Sequence, residues 1–366
     1  MQFRGRKQVA TVGSAVLAAV ALAACSSSTT TPAASGTTGG TTAAASPNAS
    51  LSGRIDASGS TFQLTFQQTA ISSFKSVDPG ITVNYAGVGS GTGRANLAAG
   101  TVNFAGSDSP VPAKEADTFK GKPPVLYFPV LVGPITMAYN LSGVSNLKLT
   151  PDVIAGIFQG DIKTWNDPKI TALNPGVTLP STPITLAVRS DSSGTTQNFS
   201  LFLVDSAPSW KLGSDSTIKW PSTAHAAAGN GGVATVVKNT PGAIGYVDYS
   251  TAKASGLSYA SVKNKDGNYV APSATSASAA AAGATVATDL TFHAVWGTGA
   301  QAYPITYQSY VLVYETQSSA NEAALLKAYI AYLLGPAQAT LEQLNYAPLP
   351  SSIDQQAIAQ LSKITS

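Results

Sequence analysis

The chain is poor in the residues from which most metal and catalytic centres are built. It has one cysteine and two histidines in 366 residues. One cysteine excludes a disulfide framework and a cysteine-based zinc site within the chain, and two histidines argue against a histidine-rich metal site. Charge is scarce too: Asp, Glu, Lys and Arg make up 11%, with 21 basic against 18 acidic side chains and a net charge of +3. That balance lacks the basic excess of a nucleic-acid-binding domain, so no nucleic-acid partner is expected. Familiar enzyme motifs are missing. The glycine run Gly87-Val88-Gly89-Ser90-Gly91-Thr92-Gly93 does not fit G-x-G-x-x-G, because position 92 is Thr and position 94 is Arg. The only Gly-Lys pair, Gly121-Lys122, is followed by Pro and has no glycine five residues earlier, so there is no P-loop, and no G-x-S-x-G occurs. His225 and His293 lie outside every segment singled out below and read as surface or structural histidines rather than general bases.

What is present begins with a basic start, Arg4, Arg6 and Lys7, followed by an apolar run from Val9 to Ala24. These are the features of a secretory signal, and the run is too short and too Ala-rich for a spanning helix. It ends at Leu22-Ala23-Ala24-Cys25, which resembles a bacterial lipoprotein signal. Residues 1–24 are then a signal peptide cleaved before Cys25, which becomes lipidated with palmitate-type acyl chains; the alternative is an ordinary signal with a chance cysteine. Each buried CH2 of such chains adds about 0.8 kcal/mol of membrane affinity. From residue 26 to 50 the chain is almost entirely Ser, Thr, Ala, Gly and Pro, which cannot bury a core, so 25–50 reads as the lipidated Cys and a disordered tether. The expected location is extracytoplasmic: a membrane-anchored lipoprotein in the periplasm or on the outer face of the cell membrane.

The folded part begins near Leu51, with length enough for about two domains. Strand patterns fall at Val83–Tyr85, Val125–Val132, Ile184–Val188, Ile244–Val247 and Tyr310–Tyr314. Helical patterns fall at Phe62–Phe74, Val153–Phe158, Thr195–Leu203 and Val233–Lys238, and most clearly at Asn321–Leu334, which Gly335-Pro336 stops. Alternating strands and helices predict an α/β architecture. The Ala-rich stretch Ser273–Ala282 reads as a short surface helix or a loop.

Four segments place small or hydroxylated residues where a strand gives way to a helix: Ser58–Phe62, Gly87–Gly93, Gly106–Pro110 and Arg189–Thr196. A helix N-terminus exposes unpaired N–H groups and the positive end of the helix dipole, and so attracts anions. Glycine lets the backbone come close, and Ser or Thr adds hydroxyl donors. Arg189 adds a forked, permanently charged donor. Each segment alone reads as a capped helix or a loop; four together point to an oxyanion pocket. Asp108 is the odd member, since a carboxylate repels an anion. It makes sense if the anion carries a proton, because an ionised carboxylate only accepts. Phosphate at neutral pH keeps at least one O–H and sulfate keeps none, so Asp108 would select phosphate by rejecting the unprotonated competitor. The plainer reading of Asp108 is a helix cap. Asp191 is better suited to orienting Arg189, or to capping the next helix, than to touching ligand.

These segments resemble the periplasmic-type phosphate-binding proteins (PstS family) that feed ABC phosphate importers. The matches are SGSTF (58–62), VNYAGVGSGTG (83–93), VNFAGSDSP (102–110), VRSDSSGT (188–195), GNGGVATVVKNTPGAIGYVDY (229–249) and NYAPLP (345–350). The resemblance implies a two-lobed periplasmic-binding-protein fold (type II-like), its ligand cleft lying between lobes joined by two crossover strands. Lobe one is then 51–131 plus 305–366, and lobe two is 132–304. It implies a non-enzymatic protein, without catalytic residues, cofactor or metal, that binds inorganic phosphate. The partners it implies are the permease subunits and ATPase of an ABC importer, with the binding protein acting as a monomer. The implied phosphate-binding residues are Thr61, Phe62, Ser90, Asp108, Arg189, Ser193, Gly194 and Thr195, with Asp191 behind Arg189. Two departures stand out: Gln63 where the family often has Pro, and Ser-Gly-Thr-Gly where it often has Ser-Ser-Gly-Gly. The second leaves the Ser90 geometry open. Two rival readings remain: a protein of the same fold for sulfate or molybdate, which Asp108 opposes, and a secreted phosphatase, which two isolated histidines do not equip.

Overall fold

The computed structural model describes residues 51–366; the signal, Cys25 and the tether lie outside the described residues. The chain opens with β1 (Gly53–Gly59), α1 (Leu64–Val77), β2 (Ile81–Gly87), α2 (Ser90–Ala98) and β3 (Phe104–Ser107). β1 pairs parallel with both β2 and β3. The 15-residue β4 (Val125–Tyr139) follows. Next come β5 (Lys148–Leu149), α3 (Pro151–Phe158), α4 (Pro168–Thr171), β6 (Thr185–Arg189), α5 (Gly194–Ser206), β7 (His225–Ala227), α6 (Gly229–Asn239), β8 (Ala243–Asp248) and α7 (Tyr249–Ala254). Short strands β9 (Ser258–Tyr259), β10 (Ser261–Lys263) and β11 (Tyr269–Val270) lead to α8 (Ala274–Ala281). The chain returns through β12 (Thr306–Tyr314) to α9 (Ala320–Leu334) and α10 (Ser351–Gln360).

One sheet runs through both halves in the order β2-β1-β3-β12-β4-β8-β6-β7, with β9 attached to β4, and β11-β10-β5 form a small second sheet. β4 joins the halves. Its residues 125–134 pair antiparallel with β12 and its residues 135–139 with β8. Every β4 residue except Val125 and Tyr127 is buried, so the strand reads as a continuous apolar run rather than an alternation. The apolar pattern suggests an end at Val132, before Gly133-Pro134, yet the strand continues to Tyr139. Both prolines sit where the ladder is interrupted: Pro129 beside the register shift at Ser309/Tyr310, and Pro134 where β4 changes partner. A missing N–H is tolerated at such points.

The periodic helices form as their spacing predicts. Phe66, Ala70 and Phe74 line the buried face of α1, and Leu326, Ile330 and Leu333 that of α9. The two faces meet at Phe74 and Tyr329, whose ring centroids lie 5.1 Å apart. Each such side chain contributes about 1.5–3 kcal/mol by leaving water. Ser319 caps α9 by accepting the Glu322 N–H. In the other half, Phe158, Phe199, Trp220 and Tyr246 cluster, with Phe199 stacked on Tyr246 at 4.6 Å. The Ala-rich stretch is a helix, α8, with a Ser273/Ser276 capping box and with Ala277, Ala280 and Ala281 buried; its small residues serve close packing as well as the surface.

β1 and β3 carry no strong strand pattern, because close packing demands small residues there. A Cβ on Gly59 would lie 2.0 Å from the Gly106 carbonyl oxygen. Those two strands end at the first and third of the four segments singled out in the sequence, and β2 and β6 end at the other two. All four loops thus open at one edge of the sheet, between the two halves.

Candidate functional site

The lobe-one wall is built around Asp108, which follows β3 and is 1% exposed. Ser60 Oγ donates to its Oδ1 at 2.6 Å, Ser309 Oγ donates to the same oxygen, and Ser90 Oγ donates to Oδ2 at 3.2 Å. The Asp108 N–H donates back to Ser90 Oγ at 3.2 Å. Burial pushes the Asp108 carboxyl up, while the Ser309, Ser60 and Ser90 hydroxyls and the nearby Arg189 pull against that shift. Ser90 opens α2, and one turn later Arg94, fully buried, pairs with Glu115 at 2.7 and 2.8 Å. The same guanidinium donates to Ser107 Oγ at 2.9 Å and Ser109 Oγ at 3.2 Å, on either side of Asp108. Helix α2 therefore grips the Asp108 turn at two points.

Thr61 and Phe62 sit at the entry to α1. Phe62 is fully buried, stacks on Tyr307 at 4.1 Å and meets Tyr346 edge-on at 5.2 Å. Tyr346 donates its hydroxyl to the Phe62 carbonyl at 2.7 Å. Ala347 pairs its backbone with Val132 on β4. The Asn345–Pro350 phrase thus fixes the first loop to the strand that joins the lobes. The Phe62 N–H donates to Ser60 Oγ at 3.0 Å.

The lobe-two wall comes from β6 and α5. The Arg189 N–H donates to the Tyr246 hydroxyl at 2.9 Å, and that hydroxyl also pairs with Thr196 Oγ1 at 2.8 Å, so the aromatic cluster holds the end of β6. Burial pushes the Tyr246 hydroxyl up to about 12, which keeps it neutral. Arg189, 5% exposed, forks onto Asp191: Nε donates to Oδ1 at 2.7 Å, and Nη2 donates to Oδ2. Burial alone would raise the Asp191 carboxyl, but the Arg189 fork and the Gly229 N–H hold it below its ordinary value. Asp191 is thus paired with Arg189, and Ser193 rather than Asp191 caps α5. Ser193 caps α5, its hydroxyl accepting the Thr196 N–H at 3.1 Å, which leaves its own proton to donate. Gly194 and Thr195 form the first turn, where N–H groups have no intrahelical partner.

The walls meet. The Gly91 N–H donates to the Ser192 carbonyl at 3.0 Å, and Asn198 Nδ2 donates to the Asp108 carbonyl at 2.8 Å. Lys114 pairs with Asp215 at the rim. A Cβ on Gly194 would stand 2.4 Å from Ser90 Oγ and 2.5 Å from Asp108 Oδ2, so the N-terminus of α5 rests against the carboxylate. All nine expected residues, from Thr61 to Thr195 and with Asp191 among them, come together where the two walls meet. Ser60, Ser309, Asn198 and Asn230 belong to it as well and were not singled out. Ser60 and Asn230 lie inside quoted segments; Ser309 sits in an apolar strand with no loop motif. His225 and His293 are both exposed. Among the described residues no cluster of three or more His, Cys, Asp or Glu is placed to hold a metal, and no helix is long and apolar enough to cross a membrane.

Two α/β lobes on a shared sheet, meeting where four strand-ending loops gather around the buried Asp108 carboxylate, define a two-lobed solute-binding protein. A family model described as a PBP superfamily domain matches residues 29–337. The phosphate-binding protein PstS of Pasteurella multocida is 34% identical over 287 residues, which is 77% of this chain and 82% of that protein. Phosphate-binding protein PstS 3 of Mycobacterium leprae is 36% identical over 320 residues, 84% of this chain and 86% of that one. Among solved structures, a high-affinity periplasmic phosphate-binding protein (PfluDING) bound with phosphate aligns with a TM-score of 0.70 at 25% identity, over 84% of this chain and 94% of that one. The chain belongs to the PstS family of phosphate-binding proteins, a family of solute-binding proteins and not of enzymes.

Proposed function

We propose that this protein captures inorganic phosphate outside the cytoplasm and delivers it to the permease subunits and ATPase of an ABC importer. It works as a monomer tethered through acyl chains on Cys25. The observation that carries the phosphate reading is the setting of Asp108, a buried carboxylate that accepts from lobe-one hydroxyls and lies against the N-terminus of α5 from lobe two. A wholly donor-lined cleft suits any oxyanion; one that also holds an acceptor suits an oxyanion that still has a proton to give. Hydrogen phosphate gives that proton to Asp108. Sulfate has none, and meets the charge of the carboxylate with no proton between them.

In this reading Arg189 supplies a charge-assisted pair of bonds, with Asp191 aiming it. Ser193, Gly194 and Thr195 donate from the start of α5, and Thr61, Phe62 and Ser90 donate from lobe one. Lobe one comprises 51–131 plus 305–366 and lobe two 132–304, so the anion draws the two together. The family's PstS relatives and the phosphate-bound structural neighbour support the choice of anion. Titrating the chain calorimetrically, after stripping endogenous anion, tests it: one-to-one phosphate binding with no heat from sulfate is expected, and binding of sulfate or of neither anion contradicts it. The anchor is tested separately. Cys25→Ser should move the protein from the membrane to the soluble fraction, and a variant that stays with the membrane would remove Cys25 as the anchor.

A further inference from the structure

The 229–249 segment matches the family pattern without supplying any of the expected ligands, yet one of its residues sits where both lobes meet. Asn230, in the first turn of α6, is 1% exposed. Its Nδ2 donates to Thr61 Oγ1 in lobe one at 3.1 Å and to Thr195 Oγ1 in lobe two at 3.2 Å. Its backbone N–H also donates to Thr61 Oγ1, at 3.3 Å. The amide is held this way round because the Asp248 N–H donates to its Oδ1 at 3.4 Å.

A threonine hydroxyl has one proton to donate and two sites at which to accept. Both acceptor sites of Thr61 Oγ1 are filled by Asn230. Those of Thr195 Oγ1 are filled by Asn230 and by Arg189 Nη1 at 3.4 Å. Each hydroxyl is left able only to donate. We infer that Asn230 is a specificity-determining positioning residue: by donating to one hydroxyl from each lobe, it turns both protons toward the bound anion. The cleft then offers an oxyanion two more donors, and offers no hydroxyl acceptor at these positions to a cation or an amine. This rests on the oxyanion reading above and assigns a function to a residue that need not touch the ligand.

Asn230→Asp has the same shape but the opposite preference. Its carboxylate must accept from the two hydroxyls, drawing their protons off the ligand, and it adds charge to a neighbourhood that already holds Asp108, Asp191 and Asp248 around Arg189. Asn230→Ala removes the donor and adds no charge. The test is phosphate titration of the full chain as wild type, N230D and N230A at pH 7.5 and 5.5, with melting temperatures. At pH 7.5 N230D should bind about 100-fold more weakly than wild type and N230A about tenfold, the size of lost hydrogen bonds to a charged group, with melting temperatures little changed. At pH 5.5 the N230D deficit should narrow, because a reprotonated carboxyl donates again and its charge no longer acts on Asp108, Asp191 and Asp248, whereas the N230A deficit, with no charge added, should stay the same. Affinities of both variants within about threefold of wild type would overturn the assignment, as would equal losses accompanied by lowered melting temperatures, which mark a packing role. A wild-type chain that binds no phosphate overturns the oxyanion reading and this inference together. Wild-type binding with indifferent variants overturns this inference alone.

Discussion

Two buried acids near the cleft have different tasks. Asp108 is surrounded by hydroxyls and faces the other lobe, whereas Asp248, at the end of β8, caps α7 with one oxygen and leaves Oδ2 without a partner. Burial pushes the Asp248 carboxyl up to about 6. The folded chain then keeps a proton that the unfolded chain releases near pH 4. Its contribution to stability is full below about pH 4 and is lost as pH rises through about 6, on the order of 3 kcal/mol in all. Asp248→Asn keeps an oxygen for the Thr251 N–H and has no charge to bury. In urea denaturation of anion-free protein, the variant should be more stable than wild type at pH 8 and should lose less stability between pH 4 and 6; lower stability at pH 8 would contradict this. Arg189→Ala removes a charged donor from a desolvated site and should weaken phosphate binding by about 2–4 kcal/mol. A loss below about 0.5 kcal/mol in titration would take Arg189 out of the pocket. At this scale the sequence was informative wherever chemistry clusters along the chain. Arg189 through Thr195 stand together, and their residue types are those that suit an anion. Ser309 could not be read the same way. It is a lone serine in an apolar strand, 201 residues from the carboxylate it serves, and only the pairing of β12 with β3 brings the two together.

The elements that make the site are held by unlike means. α5 is aimed by its cap and by the aromatic cluster beneath β6, and α2 by the pairing of buried Arg94 with partly exposed Glu115. Removing Glu115 is costly, because the fully buried Arg94 charge is left uncompensated. The tightest element contact is at Gly194. Its φ is not in the left-handed region, so alanine is acceptable to the helix and is a better helix former than glycine. Its Cβ would nevertheless run into Ser90 and Asp108 of the other lobe. Gly194→Ala should therefore melt no lower than wild type while losing at least about 100-fold in phosphate affinity; retained affinity would mean that the lobes need not approach this closely. Periodicity revealed α1 and α9, whose buried faces are large and apolar. It missed β1 and β3, where Gly59 and Gly106 give up side chains so that two backbones can touch, a requirement that looks like a loop in one dimension. It stopped β4 at Gly133-Pro134, where the strand in fact changes partner and continues.

Across the described residues, a set of polar contacts joins the lobes around the site. They include a backbone bond from Gly91 to Ser192, the Asn198 amide on the Asp108 carbonyl, the Asn230 amide on Thr61, and the rim pair Lys114–Asp215. The rim pair is partly exposed and contributes little. A ligand that touches both walls shifts the balance toward the closed form by the difference in its affinity for the two states, and a ligand that repels one wall does not. Selectivity and closure are therefore one event in this reading, with Asp108 deciding both. The most direct test is small-angle scattering of the anion-stripped chain and its Asp108→Asn variant, each titrated with phosphate and with sulfate. The wild-type chain should contract with phosphate and not with sulfate, while the variant should contract with both. Equal contraction of the wild-type chain with sulfate, or a variant that still tells the two anions apart, would contradict the role given to Asp108.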